Sequence, residues 1–302
     1  MLIFVAMKLN NALLLGFVLM LTLSSCGKFE KFRKSASLPK KYEAAIKYYK
    51  TKEFDKAGIL FDEILPLMKG DSTQELATFY QAKCDFELGN YTLAGTHFKK
   101  FAEVFSRSEM AEESIYMAAY SMFKDSPNYN LDQAATLSAI NELQGYINNY
   151  PESKFREDCT KMIKDLRKKL EKKAFEKAKL YFKTSPFNIA ALKSAVIEAT
   201  NFQRDFPDSE FNEEVAFLKL QSQFALAKTT IETKQRERYE EAGKFYLELI
   251  DKYPKSAFLP QAEKMYTESV KEAERIAKLE AEYKALQEKE KSNTSKVATS
   301  PK

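Results

Sequence analysis

Five segments of this chain repeat one spacing of apolar residues, and that repetition limits the fold more than any other feature. Three of them end in a shared motif: Tyr150-Pro151-Glu152-Ser153-Lys154-Phe155, Phe206-Pro207-Asp208-Ser209-Glu210-Phe211 and Tyr253-Pro254-Lys255-Ser256-Ala257-Phe258. Pro cannot continue a helix, Ser is a favoured N-cap, and the Phe predicts a staple between the new helix and the old. Each motif therefore ends one helix and starts the next. Twelve residues before each Pro stand Ala139, Ala195 and Ala242. Eight before stand Leu143, Ala199 and Tyr246; five before stand Tyr146, Phe202 and Leu249. The same frame fits Tyr91, Ala94, Phe98, Phe101 and Ser106 without gaps, and Phe54, Ala57, Phe61, Ile64 and Lys69. An Ala holds the same slot in all five.

Aromatic, small, aromatic, apolar, then Pro is the second-helix pattern of a tetratricopeptide repeat (TPR). The small slot lets two helices approach closely, so a large side chain there would overpack. Leu88-Gly89-Asn90-Tyr91 matches the turn inside such a repeat, where Gly and Asn permit positive φ. The expected fold is all-α: an α-solenoid of about five TPR-like helix-turn-helix repeats. An ordinary amphipathic bundle would have no reason to hold five copies in register. The Ala-to-Ala steps are 37, 45, 56 and 47 residues, against a TPR period of about 34. The later repeats are stretched by a loop at Asp125–Asn130 and by long helices over Phe155–Lys183 and from Phe211 to about Lys234. After Pro260 a helix continues to about Lys291, and the polar end SNTSKVATSPK is expected to be disordered. Composition agrees with helices: 44% hydrophobic, only 8 Gly and 9 Pro among 302 residues, and no Trp.

The N-terminus is a different kind of sequence. Met7-Lys8 reads as the natural start. Lys8 precedes an apolar run, Ala12 to Leu23, and then Ser24-Ser25-Cys26-Gly27. A positive residue, a short apolar stretch and small residues describe a secretory signal peptide. Leu23-Ser24-Ser25-Cys26 resembles the bacterial lipobox, which marks Cys26 for lipidation. Each buried methylene of a lipid contributes roughly 0.8 kcal/mol, so one acyl chain holds marginally, whereas an S-diacylglycerol with an N-acyl chain holds essentially permanently. Residues 27–40 (GKFEKFRKSASLPK) read as a basic tether, either solvated or laid against anionic headgroups. Cys84 and Cys159 lie in apolar-periodic helices and could be buried thiols or a disulfide.

Sites of chemistry are few. The formal charge of +5 is spread over 48 basic and 43 acidic residues and makes no case for nucleic acid. His97 is the single histidine and has no partner set for a metal or a nucleophile. Phosphate-loop, Cys-x-x-Cys and nucleophile-elbow motifs are missing. Acidic pairs such as Glu112-Glu113 and Glu213-Glu214 read as solvated surface. No enzyme, metal site or cofactor is expected beyond the lipid on Cys26. Repeat solenoids bind along the face lined by first helices. The frame puts Tyr42, Ile46 and Tyr49 there in the first repeat, and Phe79, Lys83 and Phe86 in the second. Aromatics in that row could hold an extended peptide and Lys83 a carboxylate, or the rings could be core between repeats.

A lipobox Cys, a short tether and five TPR-like repeats with stretched later members resemble the BamD family, lipoproteins of the outer-membrane β-barrel assembly machinery. The resemblance runs from Cys26 to about Ala277. Its marks are Tyr49–Ala57 (YKTKEFDKA), Tyr129–Gln133 (YNLDQ), Tyr146–Ser153 (YINNYPES) and Tyr239–Ser256. It implies a signal peptide over 1–25, a lipidated tether over 26–40, N-terminal repeats over 41–153, C-terminal repeats over 154–277 and a charged extension over 278–302. It also implies an outer-membrane scaffold on the periplasmic face. Unfolded barrel precursors would meet the N-terminal repeats, at Tyr42, Tyr49, Phe79 and Phe86. A BamA-like barrel protein would dock on helices from about Phe211 to Tyr266. The other readings are a periplasmic TPR adaptor at the cell wall or division site, and a glycan-binding lipoprotein, which the lack of Trp disfavours. Cys26→Ser should release the protein from membranes washed with high salt and carbonate; retention would end the lipoprotein reading.

Overall fold

The computed structural model describes residues 29–186 and 188–298. Among them no strand occurs. A short helix, α1, covers residues 29–35. It is followed by α2 (Leu38–Lys50), α3 (Phe54–Ile64), α4 (Gln74–Glu87), α5 (Tyr91–Val104), α6 (Ala111–Asp125) and α7 (Ala134–Asn149). Then come α8 (Arg156–Thr184), α9 (Ala190–Asp205), α10 (Asn212–Thr229), α11 (Glu232–Lys252) and α12 (Leu259–Ala298). Paired as α2/α3, α4/α5, α6/α7, α8/α9 and α10/α11, these are five helical hairpins of an all-α, TPR-like solenoid. The chain divides into two compact units: Met1–Pro127 with Asp132–Leu166, and Asn128–Leu131 with Arg167–Lys302.

The recurring slot is the contact on which each hairpin closes. Ala57, Ala94, Ala139, Ala195 and Ala242 are all 0% exposed. The two apolar positions that follow in each copy are buried as well: Phe61 and Ile64, Phe98 and Phe101, Leu143 and Tyr146, Ala199 and Phe202, Tyr246 and Leu249. A second helix thus presents one narrow buried stripe that includes the Ala slot, a residue small enough to let a facing helix approach.

The turn between repeats is also built five times. Ser153, Ser209 and Ser256 accept the N–H of Phe155, Phe211 and Phe258 at 3.1, 3.3 and 3.1 Å through their hydroxyls. Ser108 accepts from Met110 at 3.0 Å, and the Asp71 carboxylate accepts from Thr73 at 2.7 Å. These acceptors are not N-caps, as the sequence suggested. They stand two residues before the capping positions Met110 and Phe211, and they close the turn that precedes the helix. The Phe of the motif also differs from expectation, since it reaches past the intervening second helix. Phe155 stacks on Tyr116 at 4.1 Å, Phe211 on Phe175 at 4.7 Å and Phe258 on Phe217 at 4.7 Å. Each therefore clamps one first helix to the first helix before it.

Inside the first two repeats the hairpin turn has Schellman geometry. Asn90 N–H donates to the Asp85 carbonyl and Glu53 N–H to the Tyr48 carbonyl, both at 2.9 Å. Gly89 takes φ +80°, and in the matching slot Lys52 takes φ +62°. Asn90 has φ −79°, so Gly89 alone supplies the left-handed residue of its turn.

Three further expectations change, and one helix is more buried than its polar residues suggest. Residues 29–35 are no tether: Phe29 is buried in the first-repeat core, edge-on to Tyr48 at 5.7 Å. The helix expected from Phe211 to about Lys234 stops at Thr229, because Thr230 and Ile231 adopt extended backbone. Both are β-branched, and α11 ties the Thr230 carbonyl to the Gln235 side chain at 3.0 Å. Helix α12 continues to Ala298 instead of ending near Lys291, since no Pro or Gly interrupts residues 261–300. Finally, α10 is buried on almost every side, including Asn212, Lys219, Ser222 and Gln223. Asn212 donates from its amide to the carbonyls of Phe206 and Pro207 at 2.7 and 2.9 Å, locking the turn before it.

Ala139→Leu should lower stability by about 1–3 kcal/mol through overpacking, read as a lower urea midpoint at unchanged slope. Lys52→Gly should raise it by about 1 kcal/mol, since Gly relieves the left-handed strain. An unchanged midpoint for both would contradict the tight-contact and strained-turn assignments.

Candidate functional site

The first helices of repeats one to three carry side chains at a strict 37-residue step. One row is Tyr42, Phe79 and Tyr116; the next is Ile46, Lys83 and Tyr120; the third is Tyr49, Phe86 and Phe123. The third repeat thus extends the candidate face to Tyr120 and Phe123. The signal was present but hidden, because the Ala slot steps by 45 residues there. The extra residues fall in the loop between α6 and α7, behind the first helix.

The rows differ in burial. Phe79 is 5% and Tyr116 9% exposed. Phe79 packs on Phe98 and Phe101 at 5.9 and 5.4 Å. Phe79 is therefore core inside its own repeat and not groove lining, which corrects the sequence expectation. Tyr42, Ile46, Tyr49, Lys83, Phe86, Tyr120 and Phe123 are half-buried. Tyr49 lies edge-on to Phe54 at 5.6 Å, and Phe86 edge-on to Tyr91 at 5.4 Å. Tyr49 and Phe86 thus each rest on the aromatic that opens their own second helix, whereas Phe123 stacks on Tyr120 at 6.1 Å. Tyr49 also meets Tyr80 at 4.4 Å, and Phe86 meets Tyr120 at 5.1 Å. The result is a strip of aromatic edges with one face packed and one face open.

Charge on the strip is already matched. Lys83 Nζ lies 2.7 Å from Glu113 Oε1 and 5.1 Å above the Phe79 ring. A ligand carboxylate would have to take Lys83 from Glu113. The neighbouring Glu112 accepts hydrogen bonds from Tyr146 Oη at 3.1 Å and Ser153 Oγ at 2.6 Å. Neither carboxylate of the Glu112-Glu113 pair is the solvated charge that the sequence suggested; both join neighbouring elements. His97 Nδ1 meets Asp85 Oδ2 at 2.7 Å. Burial first, then Cys84, Tyr80 and two carboxylates, pushes the Tyr49 hydroxyl up to about 12. Burial first, then Asp158, does the same to Tyr116.

Cys84 and Cys159 are free thiols, each 0% exposed. They belong to separate core clusters. Burial pushes them up to about 12 and about 11 respectively, so both stay protonated and unreactive near neutral pH. Among the described residues no group of His, Cys, Asp and Glu could hold a metal ion, and no helix is long and apolar enough to cross a membrane. Cys26 lies outside the described residues.

In the second unit, helices α8 and α10 and the turn before α12 frame a cleft of about 480 Å³. Leu180, Phe182, Phe217, Leu218 and Phe258 line it, with Lys179 and Lys183 at its edge. Lys179 is paired with Glu214 at 3.0 Å.

A family model described as YfiO, outer membrane lipoprotein, matches residues 35–192. This chain belongs to the YfiO family. The match spans helices α2 to α8 and the start of α9, and so includes the whole aromatic strip. Among solved structures, the TPR2AB domain of yeast Sti1 in complex with pHSP90 is similar to this chain. It shares 14% identity at a TM-score of 0.36, over 77% of this chain and 98% of that one. Among curated proteins no match is found.

Tyr49 and Tyr116 are stabilising as neutral phenols. Because folding raises them above the ordinary value near 10, their contribution is complete below pH 10 and is lost as pH rises towards 12. Stability measured by urea titration should therefore fall across that window, and Tyr49→Phe should make the fall shallower. An unchanged slope would contradict the buried phenol.

Proposed function

We propose that this YfiO-family protein is a non-catalytic scaffold for the assembly of outer-membrane β-barrels. A lipid on Cys26, N-acyl and S-diacylglycerol, would hold it on the periplasmic face of the outer membrane. The aromatic strip of the N-terminal repeats would receive unfolded barrel precursors. Such segments are extended and alternate apolar with polar residues, and half-exposed rings can seat alternate side chains while the backbone remains free. The C-terminal repeats would hold a BamA-like barrel protein, with the Leu180–Phe217–Phe258 cleft as the docking surface. The observation that carries the reading is the family match across repeats that display an open aromatic strip.

Affinity purification from detergent-solubilised envelope, followed by mass spectrometry, tests it. The expected result is co-purification of a large outer-membrane barrel protein. Recovery of peptidoglycan-linked or division proteins instead would favour the adaptor reading and overturn this one. Tyr49→Ala with Phe86→Ala should weaken capture of a barrel-strand peptide by roughly tenfold or more, as loss of aromatic anchors does. The barrel protein held by the C-terminal repeats should still co-purify.

A further inference from the structure

The structure changes what the N-terminal basic segment can do. In α1, Phe29 and Phe32 turn into the first-repeat core. Arg33 is pinned between Glu30 and Glu63 at 3.2 and 3.1 Å, and Lys41 shares Glu63 at 2.8 Å. The opposite side of α1 presents Lys31, Lys34 and Ser35, all exposed, and Lys40 is exposed beside it in the first turn of α2. Among the described residues none of these three lysines makes an ion pair. Phe29, which is packed in the first-repeat core, is only three residues after Cys26. Three residues span at most about 11 Å even when fully extended. A lipid on Cys26 places that residue at the bilayer surface, so covalent length alone keeps Phe29, the start of α1, within about one Debye length of the headgroup charge.

We propose that the outward face of α1, with Lys31, Lys34 and Lys40, rests on the membrane that holds the anchor and binds the phosphates of anionic phospholipids. This rests on the lipidation of Cys26 proposed above. Seated so, the first repeat has a defined side towards the bilayer rather than swinging on a linker. Lys31 and Lys34 on one side of α1, with exposed Lys40 at the start of α2 and the acidic neighbours Glu30 and Glu63 consumed by Arg33 and Lys41, complement a negative surface.

The test uses the full lipidated chain in vesicles of phosphatidylcholine with phosphatidylglycerol, with a quencher attached to lipid headgroups. A dye is placed at Lys34→Cys or, three repeats along the first unit, at Gln144→Cys; buried Cys84 and Cys159 stay unlabelled. The Lys34 dye should be quenched roughly twofold or more, since three residues allow at most about 11 Å to Phe29 and five helical residues add only about 7.5 Å, and the Gln144 dye much less. A flexible Gly/Ser insert between Gly27 and Lys28, or Lys31→Glu with Lys40→Glu, should reduce quenching at Lys34. Equal quenching in vesicles of phosphatidylcholine alone would overturn the recognition of anionic headgroups. An unquenched Lys34 dye on protein still held through Cys26 would overturn the seating while leaving the lipoprotein reading intact. Protein that remains bound to phosphatidylcholine vesicles in high salt as Cys26→Ser would remove both.

Discussion

The close approach of paired helices at a buried alanine is the contact on which the structure depends. At Ala57, Ala94, Ala139, Ala195 and Ala242 the side chain is small enough for the facing helix to come near, and no surface is left exposed. Larger residues one and two turns later fill the space that the near contact opens, such as Phe98 and Phe101 after Ala94. A hairpin built this way is rigid but thin. It buries only one stripe of its second helix and needs neighbours on both sides.

The neighbours are set by the turn between repeats. A hydroxyl or carboxylate closes the turn, and an aromatic two residues later stacks on the preceding first helix in the third, fourth and fifth junctions. Closing and clamping happen within six residues, so the spacing between first helices is decided locally. Inserts are tolerated where they avoid this junction. The eight-residue loop before α7 and the 29-residue α8 lengthen repeats without disturbing it. That is why the first helices of repeats one to three keep a 37-residue step although the second helices do not. The open aromatic strip is a by-product of the same regularity, because equal steps bring Tyr49, Phe86 and Phe123 to the same side.

Chemistry in this molecule is limited by burial and by pairing. The thiols are sealed in apolar clusters, Lys83 is held by Glu113, and Glu112 is bound into the turn at Ser153. What remains open is surface for binding: the strip in the first unit, the apolar cleft in the second, and the basic face of α1. The strip lies within the residues that the YfiO family model matches.

Sequence alone determined the elements whose signals are local. The alanine slot, the turn motif, the long α8 and the positive φ at Gly89 follow from residue size, backbone freedom and the missing N–H of Pro, none of which needs a distant partner. Tertiary structure decided everything that depends on who the neighbour is. Phe79 and Phe86 read alike in sequence, but Phe79 faces Phe98 and Phe101 and is core, whereas Phe86 lies at the strip and stays half-open. Cys84 and Cys159 are free because they lie in different clusters. Residues 29–35 look like a basic linker by composition; they are a docked helix because Tyr48 and Glu63, from two other helices, offer a ring and a carboxylate to Phe29 and Arg33. Contacts between residues far apart in the chain leave no periodic trace, and for that reason only the folded molecule shows them.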